Sequence, residues 1–146
     1  MNHSQNKKIE SLNNPEYKYL ISLKKNRNRK ISNKTLCEGY RENTQLINSE
    51  CKIDTLYICE ELLIGENNLH LIKKFQKSKV RTVYVSKNVF NNISYRDRPD
   101  GLMSLVEYES KPLTKNIIGP ILIPDRIEKP GNLGTMIRTA KSFGIN

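Results

Sequence analysis

Four short runs rich in β-branched, aromatic and other apolar residues, "KTLCEGY" (34–40), "IDTLYICE" (53–60), "VRTVYVS" (80–86) and "LMSLVEY" (102–108), alternate along the chain with segments of helical periodicity. Strands of this length bury their apolar faces by packing against the intervening helices. The alternation therefore predicts an α/β sandwich with a largely parallel sheet. The helical segments carry their own local signals. Asn14 and Pro15 stand as N-cap and first helical residue ahead of Tyr19, Leu20 and Leu23. Leu46 and Ile47 mark the inner side of "RENTQLINSE", "NNLHLIKKFQKSK" reads as a longer helix, and Ser86 caps the short "SKNVFNNIS". Arg98-Pro99-Asp100-Gly101 carries strong turn chemistry.

The ends of the chain differ from this pattern. Residues 1–14 are polar and read as a disordered tail, leaving 15–111 for the α/β domain. The polar, proline-bearing "ESKPLTKN" resembles a linker. Beyond it "IIGPILIPD" (117–125) is a nearly continuous apolar run, the pattern of a strand buried on both faces. A boundary is expected near residue 112, with 112–146 opening a second domain.

Charge narrows the partners. The formal net charge is +10, and residues 1–34 hold nine Lys/Arg against two acids, a net +7. "KKNRNRK" packs Lys24, Lys25, Arg27, Arg29 and Lys30 into seven residues. Such density suits a polyanion, and it equally suits a solvated helix end. Arg41 and Arg98 are further cationic candidates, and Tyr40 is placed either to stack on a base or to pack in the structure.

Other chemistries find little support. Cys37, Cys51 and Cys59 lack C-x-x-C spacing and read as buried thiols of a reducing compartment, with neither a disulfide framework nor a zinc site indicated. His3 and His70 lie in a polar tail and a polar helix, which points away from metal chemistry. The chain has neither an 18-residue apolar run nor an apolar segment behind its first lysines, so a cytoplasmic location is expected.

Between the apolar run and the last helix lies "RIEKPGNLG", where Gly131 and Gly134 permit close backbone approach and Asn132 can cap the helix or turn its amide into a site. The turn matches neither G-x-G-x-x-G nor the Walker loop. At 100° per residue, Leu133, Met136, Ile137, Ala140 and Phe143 share one side of the helix, and Arg138 falls opposite with Thr135 and Ser142.

"EKPGNLGTMIRTAKSFG" resembles the first signature motif of the SpoU/TrmH family of RNA 2′-O-ribose methyltransferases, through Asn132, Gly134, Arg138, Thr139, Ala140, Phe143 and Gly144. "KKNRNRKISNKTLCEGYRE" and "RPDGLMSLVE" are similar to the family's N-terminal RNA-substrate-binding domain. The resemblance implies transfer of a methyl group from S-adenosylmethionine to a ribose 2′-hydroxyl of ribosomal or transfer RNA. It implies that Arg138 activates that hydroxyl and contacts phosphate, that Asn132 helps to shape the active site, and that no metal is needed. Residues 112–146 would then be the first strand and helix of an incomplete SPOUT (trefoil-knot) domain. The motifs that bind the cofactor and form the homodimer in this family would fall after Asn146. The chain is therefore expected to be truncated, by nature, frameshift or fragmentation, and catalysis by it alone is not expected. A non-catalytic RNA-binding module and an inactive remnant are the alternatives.

Overall fold

A computed structural model describes residues 8–108, 118–127 and 130–145. The chain divides into two compact units, Met1–Ser110 and Lys111–Asn146.

In the first unit the elements follow the local signals closely. Helix α1 (Pro15–Ser22) begins where the Asn14 Oδ1 accepts the backbone N–H groups of Glu16 and Tyr17, satisfying two of the donors that a helix start leaves open. The basic run continues into a helix of its own, α2 (Asn26–Ser32), which ends at Asn33 in the left-handed conformation. Then come β1 (Lys34–Glu38), α3 (Tyr40–Ile47), β2 (Ile53–Ile58) and α4 (Glu66–Lys77). Strand β3 (Arg81–Tyr84) leads to α5 (Lys87–Ile93), whose start is capped by the Ser86 hydroxyl accepting from Val89 N–H, and β4 (Leu102–Glu107) closes the unit.

The sheet order is β1-β4-β2-β3. Only β2 and β3 pair in parallel; β4 runs antiparallel to both β1 and β2, between them. The α/β class holds, and the largely parallel sheet does not. Strands β1, β2 and β3 share one direction, since β4 opposes both β1 and β2 and β3 is parallel to β2. Helices α3 and α4 each return the chain to start the next strand at the same end, whereas after α5 and the turn at 98–101 the chain re-enters the sheet from the end it has just left. Gly39 N–H accordingly bonds Leu102 O, and Cys59 N–H bonds Gly101 O.

Two cores flank the sheet, as side-chain alternation along the strands requires. Tyr57, Cys59, Val83 and Met103 face α1 and α5, meeting Leu20, Leu23, Val89, Phe90 and Ile93. Leu56, Ile58 and Leu102 face the other way, onto Leu71, Ile72 and Phe75 of α4, with Ile47 of α3 and Tyr40 packed alongside. Residues 8–14 depart from the expected tail: Ile9 is 5% exposed in the first core and bridges Val85 in parallel. An isoleucine that can add a bridge to the open edge of β3 is held by it. Cys59 is buried, Cys37 half-buried and Cys51 exposed, so Cys51 is not the buried thiol its composition suggested; it sits in the polar turn before β2. All three are free.

In the second unit, α6 (Pro130–Ser142) forms where the helical pattern lies, and it stops at Gly144, φ +71°, with Ile145 N–H bonded to Ala140 O. The buried strand expected over 117–125 is not formed. Residues 118–125 have no regular structure, and Ile118 and Ile123 are 97% and 80% exposed. An apolar run becomes a strand only when a neighbour accepts and donates its backbone hydrogen bonds, and among the described residues none does. Residue 117, the linker 109–116 and His3 lie outside the described residues.

Candidate RNA interface

The basic run is divided by the fold. Lys24 lies exposed just beyond α1, and its ammonium donates to the carbonyls of Asn92 and Ser94, both at 2.8 Å. These are carbonyls at the end of α5, where a cation complements the helix dipole. Arg29 Nη1 donates to Leu23 O at 2.8 Å and Lys24 O at 2.9 Å, and so closes the end of α1. Lys25, Arg27 and Lys30 are exposed, and among the described residues none is in an ion pair. Two of the five cations thus hold the fold, although an ammonium has three donors and Lys24 retains one.

A second cationic group gathers where β1 ends and β4 begins. Arg96 bonds Glu42 at 2.7 Å and lies 3.7 Å from Asp100. Asp100 Oδ2 accepts the Tyr40 N–H at 2.7 Å, so a side chain sixty residues away caps the start of α3. Between them Gly39 sits at φ +111°, and a side chain there would overlap the Arg96 guanidinium and the Glu42 carboxylate. Arg41 and Arg98 are both exposed near this junction in sequence, next to Glu42 and two residues before Asp100. Tyr40 packs against the second core, which takes the structural side of the choice its sequence left open.

In the stretch that resembles the family's substrate-binding domain lies a carboxylate to which the sequence reading gave no role. Glu38 is 8% exposed; its Oε1 accepts the Ser94 hydroxyl and its Oε2 the Tyr95 N–H at 2.8 Å. Asn43, fully buried, bridges Cys37 O, Gly39 O and the Ser104 hydroxyl. Buried polar groups of this kind are costly unless fully paired, and here their bonds fix the end of β1, the start of α3 and the loop before β4 as one body. Ser94, Tyr95 and Arg96 escaped the sequence reading, while Asp100 was read only as a turn residue and Glu38 only as part of a family-like stretch. A glutamate directly before the glycine that ends a strand was the available signal.

In the second unit Asn132 is not a cap, because α6 starts two residues earlier at Pro130, which is preset for the first helical position. Asn132 and Arg138 are both exposed. Arg138 lies back along the helix, with Nη2 donating to the Thr135 hydroxyl at 3.2 Å. A side chain at Gly131 would meet nothing within 4 Å. The described residues therefore enclose no adenosine-sized group around this pair.

Comparison with known proteins agrees with this architecture. Residues 14–104 match the family model described as "MRM3-like substrate binding domain". The chain is 33% identical over 121 residues to the mitochondrial rRNA methyltransferase 3 of Xenopus tropicalis, covering 76% of this chain and 27% of that protein. A crystal structure of an RNA 2′-O ribose methyltransferase superposes with a TM-score of 0.77 at 27% identity, covering 93% of this chain and 52% of the other. The AdoMet-bound rRNA methyltransferase of Sinorhizobium meliloti gives 0.73 at 25% identity, covering 93% and 51%. The chain thus spans from about a quarter to about half the length of these relatives. With more than half of its residues inside the matched model, and a mixed α/β fold shared with these methyltransferases, the chain belongs to the family of MRM3-like substrate binding domains.

Proposed function

We propose that the first unit is the RNA-gripping part of an S-adenosylmethionine-dependent RNA 2′-O-ribose methyltransferase of the SpoU/TrmH type, and that residues 112–146 open its SPOUT domain. One observation carries this reading: likeness to a 2′-O-ribose methyltransferase extends past the substrate-binding match, which ends at residue 104, to 93% of the chain. Lys25, Arg27, Lys30, Arg41 and Arg98 supply the exposed positive charge, and contacts of this kind give affinity for phosphate without reading sequence. Ribosomal or transfer RNA, a cytoplasmic setting and a homodimer of the complete protein belong to the same reading.

S-adenosylmethionine supplies the methyl group in such a transfer. The described residues around Asn132 and Arg138 do not form its pocket. What Arg138 brings is a guanidinium able to grip phosphate oxygens in a fork and to stabilise negative charge on a ribose oxygen. Asn132, earlier on the same helix, offers an amide that both donates and accepts.

The second reading is an RNA-binding module without transfer, favoured by the family match lying wholly inside the first unit. Incubating the 146-residue chain, and a protein extended to the full length of its relatives, with methyl-labelled S-adenosylmethionine and ribosomal RNA separates the two. We expect salt-sensitive RNA binding without label incorporation by this chain, and incorporation by a protein extended to the full length of its relatives. Absence of RNA binding at low salt would reject both readings.

A further inference from the structure

Two tyrosines are exposed in the described part of the first unit, Tyr19 at 37% and Tyr95 at 54%. They differ in how they are held. Tyr95 follows the end of α5, and its backbone N–H is anchored to the buried carboxylate of Glu38 at 2.8 Å. The preceding Ser94 is 8% exposed, with its hydroxyl on the same carboxylate and also accepting the Arg96 N–H at 2.9 Å. One face of the phenol is taken by the Lys24 ammonium, 5.3 Å from the ring centroid and itself seated on the Asn92 and Ser94 carbonyls. A buried carboxylate is a costly group, and this one bonds Ser94 and the Tyr95 backbone. The result is a surface ring whose position is set before any partner arrives, which lowers the ordering cost of binding.

We propose that Tyr95 is a stacking platform for an unpaired base of the RNA. The inference rests on the RNA-binding reading and narrows it, from any polyanion to an RNA with at least one unstacked nucleotide. The surroundings match what such a base brings with it. Lys24 retains one ammonium donor for a phosphate oxygen, Arg96 follows in the chain with its guanidinium steered by Glu42 and Asp100, and Arg98 is exposed two residues further on. An aromatic ring flanked by cations is the arrangement that binds single-stranded segments through stacking and phosphate contact together. Bases inside a duplex are already stacked, so the ring contributes only where a base is free. Tyr40, the stacking candidate of the sequence, is unsuited because it packs on the second core.

The test uses the full 146-residue chain, a stem-loop RNA carrying 2-aminopurine in its loop, and a blunt duplex of the same length. Tyr95→Ala keeps the backbone N–H that Glu38 holds and loses only the Lys24–ring contact, so a melting temperature lowered by no more than about 8 °C is expected. Loop binding should weaken about 5- to 150-fold, the range of one lost aromatic–base stack. Duplex binding and the salt slope should stay as in the wild type. Tyr95→Trp should restore loop affinity and the quenching of 2-aminopurine. Loop binding unaltered in Tyr95→Ala, or weakened equally for loop and duplex, would overturn the platform while leaving RNA binding intact. Wild-type protein that binds neither RNA at low salt would instead remove the reading on which the platform rests.

Discussion

The guanidinium of Arg81 grips the carboxylate of Glu16 at two points, Nη1 to Oε1 at 2.5 Å and Nη2 to Oε2 at 3.0 Å, and so ties α1 to β3. The Tyr57 hydroxyl, from the next-to-last residue of β2, donates to the same Oε1 at 2.6 Å. The Arg81 bonds hold the Glu16 carboxyl below its ordinary range despite burial, and burial together with Glu16 pushes the Tyr57 phenol up.

We expect Glu16→Gln to cost about 1–2 kcal/mol, toward the lower end because Arg81 is largely in water. The sign of the pH dependence follows from the lowered carboxyl. The contribution of Glu16 is fully present above its unfolded pKa and is lost as pH falls through the lower, folded one. Urea melts between pH 7 and pH 3 should show the wild type losing its advantage over Glu16→Gln only in the acid range. A constant gap across that range would exclude the carboxylate as its source.

Gly101 is a stricter requirement. It stands at φ +81°, and a side-chain carbon there would lie 2.6 Å from Cys59 O and 3.2 Å from Leu62. Gly65, at φ +79°, has nothing within 4 Å of the same position. Gly101→Ala should cost about 2–4 kcal/mol, whereas Gly65→Ala should cost about 1 kcal/mol from backbone conformation alone. Thermal melts of the two variants side by side check the difference.

How much of this was legible in the residues depended on range. The caps at Asn14 and Ser86 act within three residues, and they were read correctly because everything they need is local. The placement of β4 was not, since its direction and its seat between β1 and β2 rest on hydrogen bonds to residues about fifty and seventy positions earlier, which no local pattern displays. The basic run shows the same divide: its charge is visible in composition, but the use of Lys24 depends on carbonyls at Asn92 and Ser94. "IIGPILIPD" misled because hydrophobicity states what a segment would bury and not whether a partner strand is there. Of the two roles the sequence left open for Asn132, capping is excluded because Pro130 has already started the helix.

The cations of the basic run should therefore separate by experiment. Changing Lys25, Arg27 and Lys30 together to Ala should leave the melting temperature nearly unchanged. It should flatten the salt dependence of RNA binding by about 2 to 3 counterion equivalents. Arg29→Ala should instead cost about 1–2 kcal/mol of stability through the lost bonds to Leu23 O and Lys24 O. A salt slope unmoved by the triple change would remove the run from the interface.

The three thiols offer an independent check of the packing. Cys51 is exposed, burial pushes the Cys37 thiol up to about 11, and burial also raises that of Cys59. Because thiolate is the reacting species, a disulfide reagent at pH 8 should label Cys51 first in the native protein. The other two should follow only on unfolding. Mass spectrometry of peptides after brief labelling reads the order directly.

Among the described residues, β4 is at once the last strand of the first unit and the only sheet neighbour of β1. During synthesis β1 must wait, unpaired, until residues 102–107 have left the ribosome. A nascent chain halted earlier holds a two-stranded parallel ribbon and an orphan. The unit therefore cannot join β1 to the β2–β3 ribbon before β4 is present, and the end of β1, where Gly39 N–H bonds Leu102 O, waits on the same residues.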